Sequence, residues 1–84
     1  MDKEQAFEQI KTILKPYVQD HKAFDTISEE TEFINDLKIN SANLVDVILD
    51  IEEKFDIIID NESMKQMATV KEAIGIIEAE LLKG

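Results

Sequence analysis

The residue best placed to do chemistry is Ser41, in the run Asp36-Leu37-Lys38-Ile39-Asn40-Ser41-Ala42 that directly precedes an amphipathic stretch ending at Phe55. Its hydroxyl can be esterified, yet nothing nearby in the chain would activate it. The single histidine, His21, lies far upstream in a segment with loop character. With no cysteine, a thiolate nucleophile, a thiolate zinc site and a disulfide framework are all excluded. Asp56 and Asp60 invite a calcium reading, but the ligand spacing and central glycine of an EF-hand loop are missing, so no metal site is expected. No set of acid, base and nucleophile converges, which argues against an enzyme. A serine in the first turn of a helix is ordinarily a cap or a solvent-facing hydroxyl. The elements around Ser41 set it apart.

The helix that Ser41 heads is expected over about residues 41–55, with Asn40 as its N-cap. One face carries Leu44, Val47, Ile48, Ile51 and Phe55, the core stripe. Ala42, Val45 and Leu49 fall on a different face, bordered by Asp46, Asp50 and Glu53. A helix apolar on two sides is either buried twice or meets a partner, and the bordering charges oppose full burial. Ala42, Val45, Asp46, Leu49, Asp50 and Glu53 are therefore expected to form a docking surface.

Upstream, a helix opens after Asp2 and buries Ala6, Phe7, Ile10, Ile13, Leu14, Tyr17 and Val18, with Pro16 loosening its last turn. From about residue 20 to 40 the periodicity fades, although Phe24, Ile27, Phe33, Ile34, Leu37 and Ile39 are too apolar for a free linker. A long loop pinned onto the core is expected there. Ile57-Ile58-Ile59 favours extended backbone but has no partner strand, and reads as a connection. A short helix follows near residues 61–67, with Met64 and Met67 filling core gaps. Thr69 and Glu72 then form a capping box for a last helix whose buried face is Val70, Ile74, Ile77 and Leu81. Tyr17 and His21 are expected to pack or face water.

The expected fold is thus all-α: three main helices plus one short helix, with a long loop between the first two main ones. Its 84 residues make one small domain, 1–84, and its two glycines and one proline supply little material for β-turns. A net charge of −10 argues against nucleic acid as a partner, since phosphate binding requires Lys and Arg, and points to basic proteins instead. No apolar run approaches the roughly 20 residues of a membrane span, and the N-terminus lacks a signal-peptide pattern. A cytoplasmic monomer without membrane insertion is expected.

Residues 27–70 resemble the acyl carrier protein family. The family's aspartate-serine-leucine at the head of its second helix corresponds to Asn40-Ser41-Ala42, preceded by Phe33-Ile34-Asn35-Asp36-Leu37. Leu44-Val45-Asp46-Val47-Ile48-Leu49-Asp50-Ile51-Glu52-Glu53-Lys54-Phe55-Asp56-Ile57 follows, and Thr69-Val70 opens the last helix. The resemblance implies that a phosphopantetheinyl transferase, supplying base and Mg²⁺, moves 4'-phosphopantetheine from coenzyme A onto Ser41. The arm's thiol would hold acyl groups as thioesters in fatty acid, polyketide or related lipid biosynthesis. Free amides at a helix N-terminus suit the incoming phosphodiester, and a cavity among the helices would shelter the cargo. Implied partners are the transferase and acyl-transferring and synthase enzymes with basic docking patches. Alternatives are an unmodified, acidic, carrier-like interaction module and an aminoacyl or peptidyl carrier. The sequence departs from the family at Asn40, at Ala42 and at Lys38, where the family has glycine.

Overall fold

In the computed structural model, which describes residues 2–83, the Asp2 side chain accepts the Gln5 amide at 2.8 Å and starts α1, Lys3–Leu14. Its inward stripe, Ala6, Ile10 and Leu14, is buried. The helix stops before Pro16 and not beyond it, correcting the expectation that Pro16 lies within the last turn. Proline brings no amide hydrogen to the ladder. The amides of Tyr17 and Val18 instead turn back onto the Leu14 carbonyl at 2.8 and 3.2 Å.

The segment expected to be a helix-free loop contains a second short helix, α2, His21–Asp25, capped by Asp20 through the Ala23 amide at 3.1 Å. Five residues are too few to display a helical period in sequence. Past α2 the chain is irregular but pinned, as expected. Gln19 and Asp20 both donate their amides to the Leu37 carbonyl at 3.2 Å. Phe33 N donates to Ala68 O at 3.0 Å, Val70 N to Thr31 O at 3.1 Å, and Lys71 N to Glu29 O at 2.8 Å. These bonds lash the loop to the start of the last helix and press Phe33, Leu37 and Ile39 into the core. Buried Thr31 is satisfied by the Ser28 amide at 2.9 Å.

The second main helix, α3, Ser41–Phe55, buries Val47, Ile48, Ile51 and Phe55, with Leu44 half-buried. Asp56 ends it in the left-handed region at φ 54, and the Ile57 amide returns to the Glu52 carbonyl at 3.1 Å. Residues 57–60 form a connection with no strand, and α4, Asn61–Gln66, begins on Asp60, whose side chain accepts the Ser63 amide at 2.8 Å. Met67 is buried and Met64 half-buried.

The last helix, α5, Val70–Lys83, carries the expected capping box: Thr69 N donates to Glu72 Oε1 at 3.1 Å and Glu72 N to Thr69 Oγ1 at 3.3 Å. Val70, Ala73, Ile74 and Ile77 are buried. Leu81 is exposed, correcting its expected place in the core, because α5 runs past the last buried layer at Ile77. α1 packs against both α3 and α5, so three long helices enclose one core and the loop closes its side. The fold is all-α, and no helix among the described residues is long and apolar enough to cross a membrane.

Candidate functional site

Ser41 is the first residue of α3 and is exposed. Its placement follows from three residues before it. Ile39 is buried and donates its amide to the Phe33 carbonyl at 3.1 Å, anchoring the approach. Asn40 takes extended backbone and caps the helix, its Oδ1 accepting the Ala42 and Asn43 amides at 2.8 and 3.2 Å. Such a cap contributes about 1 kcal/mol. Lys38 makes the turn that allows this, at φ 60. A side chain in that region costs roughly 1–2 kcal/mol that glycine avoids, which gives a physical reason for the family's glycine at this position.

The Ala42, Asn43 and Leu44 amides are therefore already in use, the last donating to the Asn40 carbonyl at 2.9 Å. This corrects the expectation of free amides for a phosphate at those three positions, whereas the Ser41 amide has no hydrogen-bond partner among the described residues. What the helix offers an anion at Ser41 is that amide, its dipole and solvent access. The Ser41 hydroxyl has no hydrogen-bond partner among the described residues, so reaction at its oxygen would break no contact of the fold. His21, at the start of α2, is exposed. Ser28 is engaged within its turn, its hydroxyl accepting the Glu30 amide at 3.3 Å, and Ser63 sits half-buried on α4.

Along the outer face of α3, Ala42, Val45, Asp46, Leu49 and Glu53 are all exposed, so the structure brings the expected surface together on one side of one helix. Val45 and Leu49 are 47% and 52% exposed, large apolar side chains left half in water. Neither Asp46 nor Glu53 forms an ion pair among the described residues.

Asp50 differs from its neighbours. It is half-buried, and its Oδ2 accepts a hydrogen bond from the Tyr17 hydroxyl at 2.8 Å. That bond to Asp50, then burial, then the charges of Asp50 and Asp46 raise the pKa of the Tyr17 phenol above its ordinary value. Glu52 departs from a solvated face in another way: its Oε2 accepts the Ile59 amide at 2.8 Å and holds the exit of α3. Neither contact is legible in the sequence, since each joins residues in different elements. Among the described residues no three His, Asp or Glu side chains gather as a metal site.

Comparison with protein-family profiles finds no match. Individual proteins do match. The chain is 36% identical over 81 residues to the acyl carrier protein of Coprothermobacter proteolyticus, covering 96% of both chains. It is 33% identical over 79 residues to that of Lactobacillus acidophilus, covering 94% of this chain and 96% of the relative. It is 36% identical over 74 residues to that of a Picosynechococcus species, covering 88% and 89%. These alignments run through nearly the whole of α1 to α5, and with the helical architecture they establish that the chain belongs to the acyl carrier protein family.

Proposed function

We propose that the protein carries acyl intermediates as thioesters on a 4'-phosphopantetheine arm esterified to Ser41, in fatty acid, polyketide or related lipid biosynthesis. Acyl carrier proteins are non-catalytic and typically carry this group. The observation that supports Ser41 as its anchor is an exposed, uncommitted hydroxyl at the head of α3, held by the Asn40 cap. The arm supplies a thiol, which this chain lacks. Ser41 itself provides only the nucleophilic oxygen, and its proton leaves to a base on the transferase, because His21 sits on another helix and no other imidazole exists.

The outer face of α3 serves as the docking surface of this carrier. Half-exposed Val45 and Leu49 flanked by the carboxylates of Asp46 and Glu53 suit a partner with an apolar dent ringed by Arg and Lys. The transferase and the acyl-transferring and synthase enzymes would engage it in turn, in the cytoplasm, with one copy of the chain per encounter. Sheltering a long acyl chain would require the core to part, since Phe33, Leu37, Ile48, Ile51 and Ile77 are at most 1% exposed in this state.

Incubation with coenzyme A, Mg²⁺ and a broad-specificity phosphopantetheinyl transferase tests the assignment. Intact mass should rise by one phosphopantetheine, and Ser41→Ala should abolish the gain while leaving the helical circular dichroism unchanged. Addition to the Ser41→Ala protein would move the site elsewhere. Loss of the Ser41 reaction with every transferase tried would favour the unmodified interaction module, a reading that Ala42, in place of the family's leucine, keeps in view.

A further inference from the structure

We infer that Tyr17 is a positioning residue of the docking surface, holding Asp50 beside Asp46 so that the three side chains together receive an arginine of a basic partner protein. The inference rests on the outer face of α3 being the docking surface.

Tyr17 comes from the turn after α1, thirty-three positions from Asp50, and joins this face only through the fold. Its hydroxyl donates to Asp50 Oδ2, so one carboxylate oxygen is tied while the other stays unassigned. The charge of Asp46 also acts on the same phenol, after that of Asp50. Asp46 and Asp50 are one turn apart on α3, and their Cβ atoms are therefore about 5–6 Å apart. Two like charges at that spacing repel, and neither forms an ion pair with a cation among the described residues. A cation from outside relieves that repulsion.

The chemistry favours guanidinium over ammonium. Arginine presents donors in a planar fork that can span two carboxylates, and its face stacks on aromatic rings. Tyr17 is half-buried, leaving part of its ring at the surface. Its oxygen, already donating to Asp50, is polarised and retains lone pairs to accept from an incoming N–H. Fixing Asp50 in advance removes side-chain freedom that binding would otherwise have to remove. Val45 and Leu49 supply the apolar surface alongside.

The test uses the full chain and two synthetic amphipathic helical peptides, identical except that one carries arginines and the other lysines along the edge of its apolar face. Because Tyr17 is the sole tyrosine and no tryptophan is present, tyrosine fluorescence reports this position alone in the wild type, while the anisotropy of a fluorophore attached to each peptide gives the affinity of every variant, including those without a tyrosine. The arginine peptide should perturb the tyrosine emission saturably and bind more tightly than the lysine peptide. Tyr17→Phe, which keeps the ring and removes the hydroxyl, should weaken the arginine peptide roughly three- to tenfold, the effect of one hydrogen bond, and narrow the gap between the two peptides. Asp50→Asn should do the same, with the double variant little worse than either single one. A general loss of packing would weaken both peptides alike and leave their ratio unchanged, which overturns the positioning role. If Asp46→Asn weakens binding while Tyr17→Phe does not, the docking surface stands and the inference about Tyr17 falls. If neither matters, the docking surface itself lies elsewhere and the inference falls with it.

Discussion

The two faces of α3 share a backbone and each carries large aliphatic side chains, but the fold treats them oppositely. Val47, Ile48 and Ile51 are at most 1% exposed, whereas Val45 and Leu49 are about half in water. Periodicity alone explains the inner face, which the core claims at i, i+3/i+4, i+7 spacing. The outer face has no such claim on it within the chain. α1 and α5 pack elsewhere, and the acids around Val45 and Leu49 form no ion pair among the described residues. An apolar stripe that folding leaves uncovered, rimmed by charge of one sign, is what the proposed docking of a transient partner requires.

The sharpest way to break that comparison is truncation. Ile51→Ala should cost roughly 2–5 kcal/mol, the range for emptying a fully packed site, while Leu49→Ala should stay within about 0.5 kcal/mol. Urea denaturation of both variants measures this. Equal losses would mean that Leu49 is packed in solution and the outer face is not free.

A second contrast lies between adjacent acids near the end of the helix. Glu52 accepts the Ile59 amide, so Glu52→Ala should cost about 1–2 kcal/mol, the penalty for stripping a half-buried amide of a charged acceptor. Glu53 is exposed and should be silent on replacement by alanine. If the two variants melt alike, Glu52 belongs with the solvated rim.

These contacts also mark where sequence reading stops. The heads of α3 and α5 were legible because Asn40 and the Thr69-Glu72 pair are local signals, each acting within three residues of itself. The core stripes of α1, α3 and α5 were legible because a long helix repeats its pattern several times. Helix α2 was not, since five residues do not complete a second turn. Lys38 at φ 60 carries no local mark, because lysine is not a residue chosen for that conformation. The Tyr17–Asp50 bond could not be read at all: it depends on how the turn after α1 meets α3, and only the assembled fold decides that.

Charge on the outer face should act on rates and not on the fold. Asp46→Lys should slow association with a basic transferase at least severalfold and flatten its salt dependence, because steering between exposed charges is screened beyond about 8–10 Å at physiological ionic strength. Its melting temperature should hold or rise slightly, since the change relieves crowding among Asp46, Asp50, Glu52 and Glu53. Stopped-flow kinetics across a salt series reads the first effect and thermal unfolding the second. Unchanged kinetics with intact modification of Ser41 would place docking on another face.

The smallest effect is the most specific to the boundary between the two faces. The protonated Tyr17 phenol is the donor to Asp50, and its pKa is raised by that bond, by burial, and by the charges of Asp50 and Asp46. The unfolded phenol ionises near about 10. A raised native pKa means that the bond's contribution is fully present below that value and is lost as pH climbs through the higher native one. Lysines titrate in the same range, so the informative quantity is the difference in stability between the wild type and Tyr17→Phe, which share every lysine. That difference should be level from neutral pH to about 10 and then close. The absorbance of phenolate, which here belongs to Tyr17 alone, should rise at a higher pH in the native protein than in denaturant, and Asp50→Asn should bring the two midpoints nearer. A native midpoint equal to that of the free phenol would show that Asp50 turns away from Tyr17 in solution and stands with Asp46 and Glu53 as an unrestrained charge of the docking face.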